Sequence, residues 1–322
     1  MEHTDLTIII LNWNTRDLLR DSLDSVLRDP AAGSWQVVVV DNASTDGSAA
    51  MVRERFPEVE LVANGENVGF ARANNRALGL ARGRHVVLLN ADTVVLDRAL
   101  SHLLSYLERH PAVGAVGPAL VQPDGSLPLV TAGHQPTIGR MLAQALALPR
   151  LLPAGLAPPA LHLPSRGDPR PRPVEWLSGA CLMVRRAVIE QVGPLSEAWF
   201  LYAEDLEWCD RIGRAGWELV YLPACRVVHY ERASVKQATP QTSTLWLRAL
   251  YEHYARRCLA SRPRRATFAA TMALGWLLRA AAGAARGRPA GLALRYAAAS
   301  LRLAILAPPP CSRGAWSVER GS

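Results

Sequence analysis

No two cysteines in this chain of 322 residues form a Cys-x-x-Cys pair, and the five present (Cys181, Cys209, Cys225, Cys258 and Cys311) are odd in number and widely spaced. The pattern fits packing thiols in a reducing compartment, without structural zinc. Long hydrophobic runs are missing as well. No window reaches the ~18 uninterrupted apolar residues of a spanning helix, and the best, Phe268 to Leu278, is stopped by Arg279. The amino terminus lacks the basic start and longer apolar core of a signal peptide. Leu6 to Leu11 is short, follows acids and precedes Asn12 and Asn14, which predicts a buried strand. Internal repeats are absent. So is negative charge between His253 and Val318, a stretch with eleven arginines and no Asp or Glu.

That last absence locates the charge. The formal net charge is +8, yet the remainder carries 25 basic and 28 acidic residues, about −3. The basicity belongs to the tail, which is expected to meet an anionic surface. A membrane is favoured over nucleic acid, because aromatic residues do not alternate with the tail arginines. With 49% hydrophobic and 20% charged residues, the chain is globular and can bury a sizeable core.

What is present is an alternation of strand and helix patterns. Thr7 to Leu11 predicts a first strand, and Leu19, Leu23, Val26 and Leu27 recur at helical spacing behind a cap at Asn14 or Thr15. Val37 to Val40 predicts a second strand, Ser44-Thr45-Asp46 the cap of a helix running to about Arg55, and Glu60 to Val62 a short third strand. A helix over Asn67 to Ala81, a strand over His85 to Leu89, a helix over Asp97 to His110 and a strand over Val113 to Val116 follow. Such alternation implies an α/β fold: a mostly parallel, twisted sheet with helices on both faces and right-handed crossovers. From Pro123 to Pro173 prolines crowd in, and a mobile loop is expected over about 131–173. Order returns at Val174 and continues to Tyr230. Beyond about Gln241, Ala, Leu and Arg recur at helical period, broken near Pro263 and Pro289. The expected domains are 1–240 and a basic helical tail, 241–322.

In an open parallel sheet the carboxyl ends of the strands line the ligand crevice, and acids stand there twice, as Asp41 and Asp92. Asp41-Asn42-Ala43-Ser44-Thr45-Asp46-Gly47-Ser48 places an acid at a strand end and hydroxyls at a helix start, which is equally an ordinary capped turn. Asn67-Val68-Gly69-Phe70-Ala71, followed by Asn74-Asn75, sets amides and a glycine at another helix start, where backbone N–H groups suit a pyrophosphate or sugar. Asn90-Ala91-Asp92 holds an amide and a carboxylate at the spacing at which two oxygen ligands share a divalent cation bridging a diphosphate. Glu204-Asp205-Leu206-Glu207 can be favourable charges in a first helical turn. Beside Trp199, Phe200, Leu201 and Tyr202 they can also be acids whose desolvation raises a pKa toward that of a general base. His229 ends the run Arg226-Val227-Val228, where a lone histidine is usually structural.

Taken in order, Ile8-Ile9-Ile10-Leu11-Asn12-Trp13-Asn14, Val40 to Ser48, Asn67 to Phe70, Leu89 to Asp92, Gly179-Ala180, and Glu204-Asp205 with Trp208 resemble the family 2 inverting glycosyltransferases. More narrowly, the chain resembles their bacterial rhamnosyltransferase-like branch, over residues 5 to about 235. The resemblance implies a nucleotide-diphosphosugar transferase fold of the A type. It implies transfer of a sugar, with rhamnose one candidate, from a nucleotide diphosphate donor to a hydroxyl of a cell-surface polysaccharide or lipid-linked glycan precursor. Asp41 would contact the nucleoside, with Asn12, Asn14, Asn42, Asn67, Gly69 and Asn75 in the same donor-binding set. Gly179 and Ala180 would border the donor sugar and acceptor. Asn90 and Asp92 take the place of a metal-binding Asp-x-Asp motif, completed by His229, for Mg2+ or Mn2+. Asp205 matches the catalytic base, with Glu204 beside it. Asn90 departs from the pattern: it offers an oxygen without charge, so Asp92 is the more secure ligand.

The implied setting is cytoplasmic, peripheral at the inner face of the cell membrane, where a glycan or polyprenyl-linked acceptor would sit. Two rivals are less well matched. A sugar-nucleotide pyrophosphorylase is expected to open with a Gly-rich loop carrying basic residues, and Leu11 to Arg16 is not such a loop. A non-catalytic membrane-bound scaffold predicts loss of the base or metal position, yet Asp205, Asp92 and His229 are all present.

Overall fold

The computed structural model describes residues 4–29, 34–125, 131–152, 159, 161–163, 169–230 and 244–309. Cys311 and parts of the expected loop lie outside them. The first half runs β1 (Leu6–Asn12), α1 (Arg16–Leu27), β2 (Gln36–Asp41), α2 (Ser48–Arg55), β3 (Glu60–Ala63), α3 (Phe70–Leu78), β4 (His85–Asn90), β5 (Thr93–Val95), α4 (Ala99–Arg109) and β6 (Val113–Val121). Then come β7 (Ala132–Gly133), α5 (Ile138–Ala145), α6 (Leu148–Leu151), β8 (Arg172–Val174), β9 (Trp176–Leu177), β10 (Cys181–Arg185), α7 (Arg186–Val192), α8 (Glu204–Arg214) and β11 (Glu218–His229). The chain closes with α9 (Leu245–Arg257), α10 (Arg262–Ala284) and α11 (Gly291–Leu306).

The described residues divide into two compact units. One lies within Met1–Ala132, Ser165–Phe200 and Glu204–Gln237, the other within Gly133–Pro164, Leu201–Ala203 and Ala238–Ser322. The first is built on a nine-stranded sheet in the order β3-β2-β1-β4-β10-β6-β11-β5, with β8 also on β11. β3, β2, β1 and β4 are mutually parallel. β6 and β4 both run against β10, so β6 shares their direction, as does β11 beside it. The sheet is therefore mostly parallel, with β5, β8 and β10 opposed. The unbroken apolar runs follow from burial on both faces. Ile8, Ile10, Val37, Val39, Val87 and Leu89 share one core with Leu19, Leu23 and Val26 of α1 and Leu100 and Leu103 of α4. Alternate residues such as Ile9, Val38 and Leu88 are buried as well, by the two-residue period of a strand.

Three helices begin later than the periodicity predicts, each for a backbone reason. α2 starts at Ser48 because Gly47 is left-handed (φ 84°), and the Asp46 carboxylate accepts the N–H groups of both Arg16 and Ser48 (2.8 and 3.0 Å). α3 starts at Phe70 because Gly69 takes φ 84° and ψ 174°. α4 starts at Ala99, since Asp97 and Arg98 are both left-handed.

The second unit is helical. α5 falls inside the segment expected as a loop, and its Ile138 and Met141 pack against Leu247, Tyr251, Phe268 and Met272 of the C-terminal helices. Sequence reading missed this helix because prolines on either side interrupt an amphipathic period of only two turns. Residues 133–152 therefore belong with the tail, and the structural boundary is not the single cut at 240. Tyr254 stacks on Phe268 with centroids 4.0 Å apart, and Trp246, Trp276 and Tyr296 meet edge to face at 4.8–5.9 Å. Among the described residues no helix is long and apolar enough to cross a membrane.

Candidate active site

Parallel registration brings the first site residues together. Asn12 pairs with Asp41 across β1 and β2, and Leu11 with Asn90 across β1 and β4, so the carboxyl ends of three adjacent strands carry Asn12, Asp41 and Asn90. Asn12 Nδ2 donates to Asp41 Oδ1 (2.8 Å) and to Ser44 Oγ (3.0 Å), while the Ser44 N–H donates to Asp41 Oδ2 (3.0 Å). The Asn14 N–H donates to the same Ser44 hydroxyl (2.9 Å), and Asn14 Oδ1 accepts the Thr45 N–H (2.7 Å). Each Asp41 oxygen already accepts one bond, which holds the carboxylate in place and leaves lone pairs for a ligand. The amides of the second motif interlock too. Asn42 Nδ2 donates to Asn67 Oδ1 (2.7 Å), and Asn42 Oδ1 accepts from Asn64 Nδ2 and the Val68 N–H (3.0 and 3.1 Å).

Asn75, expected in the donor-binding set, bonds within the fold. Its Nδ2 donates to the Leu195 carbonyl (2.9 Å) and its Oδ1 accepts the Leu195 N–H (3.0 Å), so the amide braces α3 against the segment leading to α8.

The downstream residues arrive through antiparallel pairing. β5 runs against the end of β11 with Thr93 opposite His229, and the Tyr230 N–H donates to the Asp92 carbonyl (2.9 Å). This sets Asp92 Oδ1 3.2 Å from His229 Nε2, with side chains only 9% and 13% exposed. Ala180 meets Asn90 in the same way, its carbonyl accepting the Asn90 N–H at 3.0 Å. The neighbouring Gly179 N–H donates to Asp205 Oδ2 (3.0 Å), and Asp205 Oδ1 accepts the Leu206 N–H (2.8 Å). Burial pushes the Asp205 carboxyl pKa up, opposed by these N–H bonds. Glu204 beside it is buried. α8 is held by Trp208, fully buried, whose Nε1 donates to the Gly193 carbonyl (2.9 Å).

Backbone strain gathers at these turns. Of nine non-glycine residues with positive φ among those described, Asn14 is itself in the expected donor set, Ala43 follows Asn42, and Tyr202 and Ala203 lead into Glu204. Each costs ~1–2 kcal/mol, an expense that fixed site geometry explains better than packing does.

At the site, Gly69 is sterically required and Gly179 is tightly packed. A Cβ on Gly69 would lie 2.6 Å from the Phe200 carbonyl oxygen, which accepts the Phe70 N–H (2.9 Å). A Cβ on Gly179 would lie 3.2 Å from the Phe70 ring and 3.5 Å from Asp205 Cβ. Gly69, Phe70, Gly179 and Asp205 thus form one packed chain from the amide motif to the acid. Gly69→Ala is expected to cost about 2–5 kcal/mol, strain and overpacking together, read as a lower urea midpoint; an unchanged midpoint would remove the close approach.

The model of the family described as "Glycosyl transferase family 2" matches residues 7–193. The chain belongs to glycosyl transferase family 2. It is 36% identical over 209 residues to the N-acetylglucosaminyl-diphospho-decaprenol L-rhamnosyltransferase of Mycobacterium tuberculosis, covering 62% of this chain and 67% of that one. The low-salt glycan biosynthesis hexosyltransferase Agl10 of Haloferax volcanii is 25% identical over 261 residues, with 80% and 75% covered. In fold, the chain is similar to the mannosyltransferase PcManGT from Pyrobaculum calidifontis, solved in complex with GDP-Man and Mn2+. That likeness has TM-score 0.60 and 21% identity, and covers 94% of this chain and 87% of that one. The family 2 chain is thus a nucleotide-sugar-dependent glycosyltransferase of the rhamnosyltransferase-like branch, and neither the pyrophosphorylase nor the scaffold reading is favoured.

Asp92 and His229 offer a carboxylate oxygen and an imidazole nitrogen, a donor set that suits Mn2+ or Mg2+. Among the described residues no group of three or more His, Cys, Asp or Glu is placed to hold a metal ion. Sequence reasoning read Ser44 only as a cap hydroxyl and overlooked Asn64 and the Gly179 N–H. The first two lie in or near the quoted motifs, whereas a backbone donor leaves no mark in a sequence.

Proposed function

We propose that the protein transfers a sugar, with inversion at the anomeric carbon, from a nucleotide diphosphate donor to a hydroxyl of a lipid-linked glycan at the inner face of the cell membrane. Similarity to the mycobacterial enzyme supports rhamnose as the sugar and an N-acetylglucosaminyl-diphospho-polyprenol as the acceptor. The carrying observation is the continuity of Asp205, Gly179-Ala180, Asn90 and the Asp92–His229 pair along one sheet end. That continuity supports reading Asp205 as the base and Asp92 with His229 as the cation-binding pair.

Asp205 takes the proton of the acceptor hydroxyl as that oxygen attacks the anomeric carbon on the face opposite the leaving diphosphate. The Gly179 N–H keeps the carboxylate aimed. Burial raises the carboxyl pKa, opposed by the N–H bonds from Gly179 and Leu206, so the group binds a proton more tightly than an exposed aspartate. The oxocarbenium-like transition state is that of glycoside hydrolysis. Asp41, held by Asn12 and Ser44, contacts the nucleoside, and the Asn42–Asn67 amides with Gly69 shape the donor site. Asp92 and His229, with Asn90 at the adjoining strand end, would hold Mg2+ or Mn2+, which would supply charge neutralisation at the leaving diphosphate. The arginine-rich C-terminal helices face the anionic membrane surface.

The test is a thermal-shift screen of thymidine and uridine diphosphosugars, with and without Mn2+, followed by transfer to a polyprenyl-diphosphate-linked N-acetylglucosamine. Stabilisation by one donor and product formation on that acceptor are expected. Stabilisation by none of them would overturn the reading.

A further inference from the structure

The buried faces of α10 and α11 are explained by the helical core: Phe268, Ala269 and Met272 on one, Tyr296, Ala297 and Ser300 on the other. Their opposite faces are apolar too. On α11 the exposed positions Leu294, Ala298, Leu301 and Ile305 follow a 4-3-4 spacing, which is one narrow stripe of a helix. On α10, Ala270, Leu274, Leu277 and Ala281 repeat the same spacing, also exposed. A water-facing helix carries polar residues at such positions. Of fifteen exposed large apolar side chains among the described residues, thirteen lie in the helical unit and only Leu80 and Tyr230 in the sheet unit.

Leu259 is the extreme case. At the corner between α9 and α10 it is 92% exposed, and its backbone is left-handed (φ 45°). A bare leucine in a conformation unfavourable to leucine gains nothing within the fold. Arg256 and Arg257 precede it and Arg262 and Arg264 follow. From Arg256 to Arg302 the chain carries ten arginines and no acid, so charge selects an anionic partner. Apolar stripes edged by arginine fit the boundary between lipid headgroups and acyl chains.

We propose that the helical unit docks on an anionic lipid bilayer by inserting the Leu259 corner and the α11 stripe, with the neighbouring arginines on lipid phosphates. This deepens, and rests on, the membrane setting proposed above, and it replaces a charge-only contact by insertion. The two make opposite predictions in salt, because the Debye length falls from about 10 Å at 0.1 M to about 3 Å at 1 M.

The experiment is flotation of the full chain with phosphatidylglycerol–phosphatidylcholine vesicles at those two salt concentrations, for the wild type, Leu259→Glu/Ile305→Glu, and Leu80→Glu as control. Every substituted side chain is exposed, so folding is kept, and circular dichroism checks it. Insertion predicts that wild type and control float at both concentrations, and that the double variant loses about tenfold or more of its bound fraction at each. Flotation lost in high salt, with the double variant behaving as wild type, would overturn insertion and leave the charge-only membrane contact standing. No flotation of the wild type would overturn both. A wild-type dimer that the double variant dissolves, without vesicle binding, would assign the face to a second copy instead.

Discussion

Replacing Asp205 by Asn is expected to lower turnover by about 10²–10⁴-fold, the usual contribution of a positioned general base. Donor binding should persist, because the substituted group touches neither Asp41 nor the Asp92–His229 pair. Asn also keeps the volume and one acceptor for the Gly179 N–H, so the local packing of Phe70 on Gly179 survives. The pH profile adds an independent check. Burial raises the Asp205 pKa, so the base becomes protonated at a higher pH than an ordinary aspartate, near 3.9, would. The acidic limb of kcat/KM should therefore lie above that value, with activity falling as pH drops through it, and Asp205→Asn should remove the limb from whatever activity remains. Near-normal transfer by this variant would take Asp205 out of the role.

The parts of the site that were legible in the sequence are those where a strand ends and its last side chain projects into the crevice. Asp41 ends β2 and Asp92 follows the end of β4 by two residues, and six motifs in order raised a generic polar crevice to a family. The core strands were legible for the same reason: a sheet covered on both faces needs continuous apolar runs, and Val37 to Val40 is one. What the residues alone did not carry, and for His229 came only through the family resemblance, depends on pairing between distant segments. His229 meets Asp92 only because β5, three residues long, runs against the end of β11. So short a strand has no period to read. The opposed direction of β10 was equally unreadable, though it is what carries Gly179 and Ala180 to Asn90. The helix α5 was obscured by the prolines flanking it, and which faces of α10 and α11 stay exposed depends on how they pack, which the helical period of a basic tail does not say.

The pairing of Asp92 with His229 leads to the second large effect. Asp92→Ala removes the only charged oxygen ligand of the pair and is expected to reduce turnover by about 10²–10³-fold, the scale of losing one preorganised electrostatic contact to a developing charge. The fold should hold, since the bond from the Tyr230 N–H to residue 92 uses the backbone carbonyl, which the substitution leaves in place. EDTA should slow the wild type and do little further to the variant. His229→Ala should cost less, because the Asp92 carboxylate remains in place. Asn90→Asp is the informative opposite: it adds a carboxylate beside Asp92 at the strand end and should lower the Mn2+ concentration needed for half-maximal donor-induced stabilisation. Two neighbouring carboxylates without a cation repel each other, so the same variant should be less stable than the wild type in EDTA and regain stability with Mn2+. A wild type indifferent to EDTA, together with an Asn90→Asp variant whose stability Mn2+ does not change, would show that Asp92 and His229 form a structural pair and that the leaving diphosphate is neutralised by other groups.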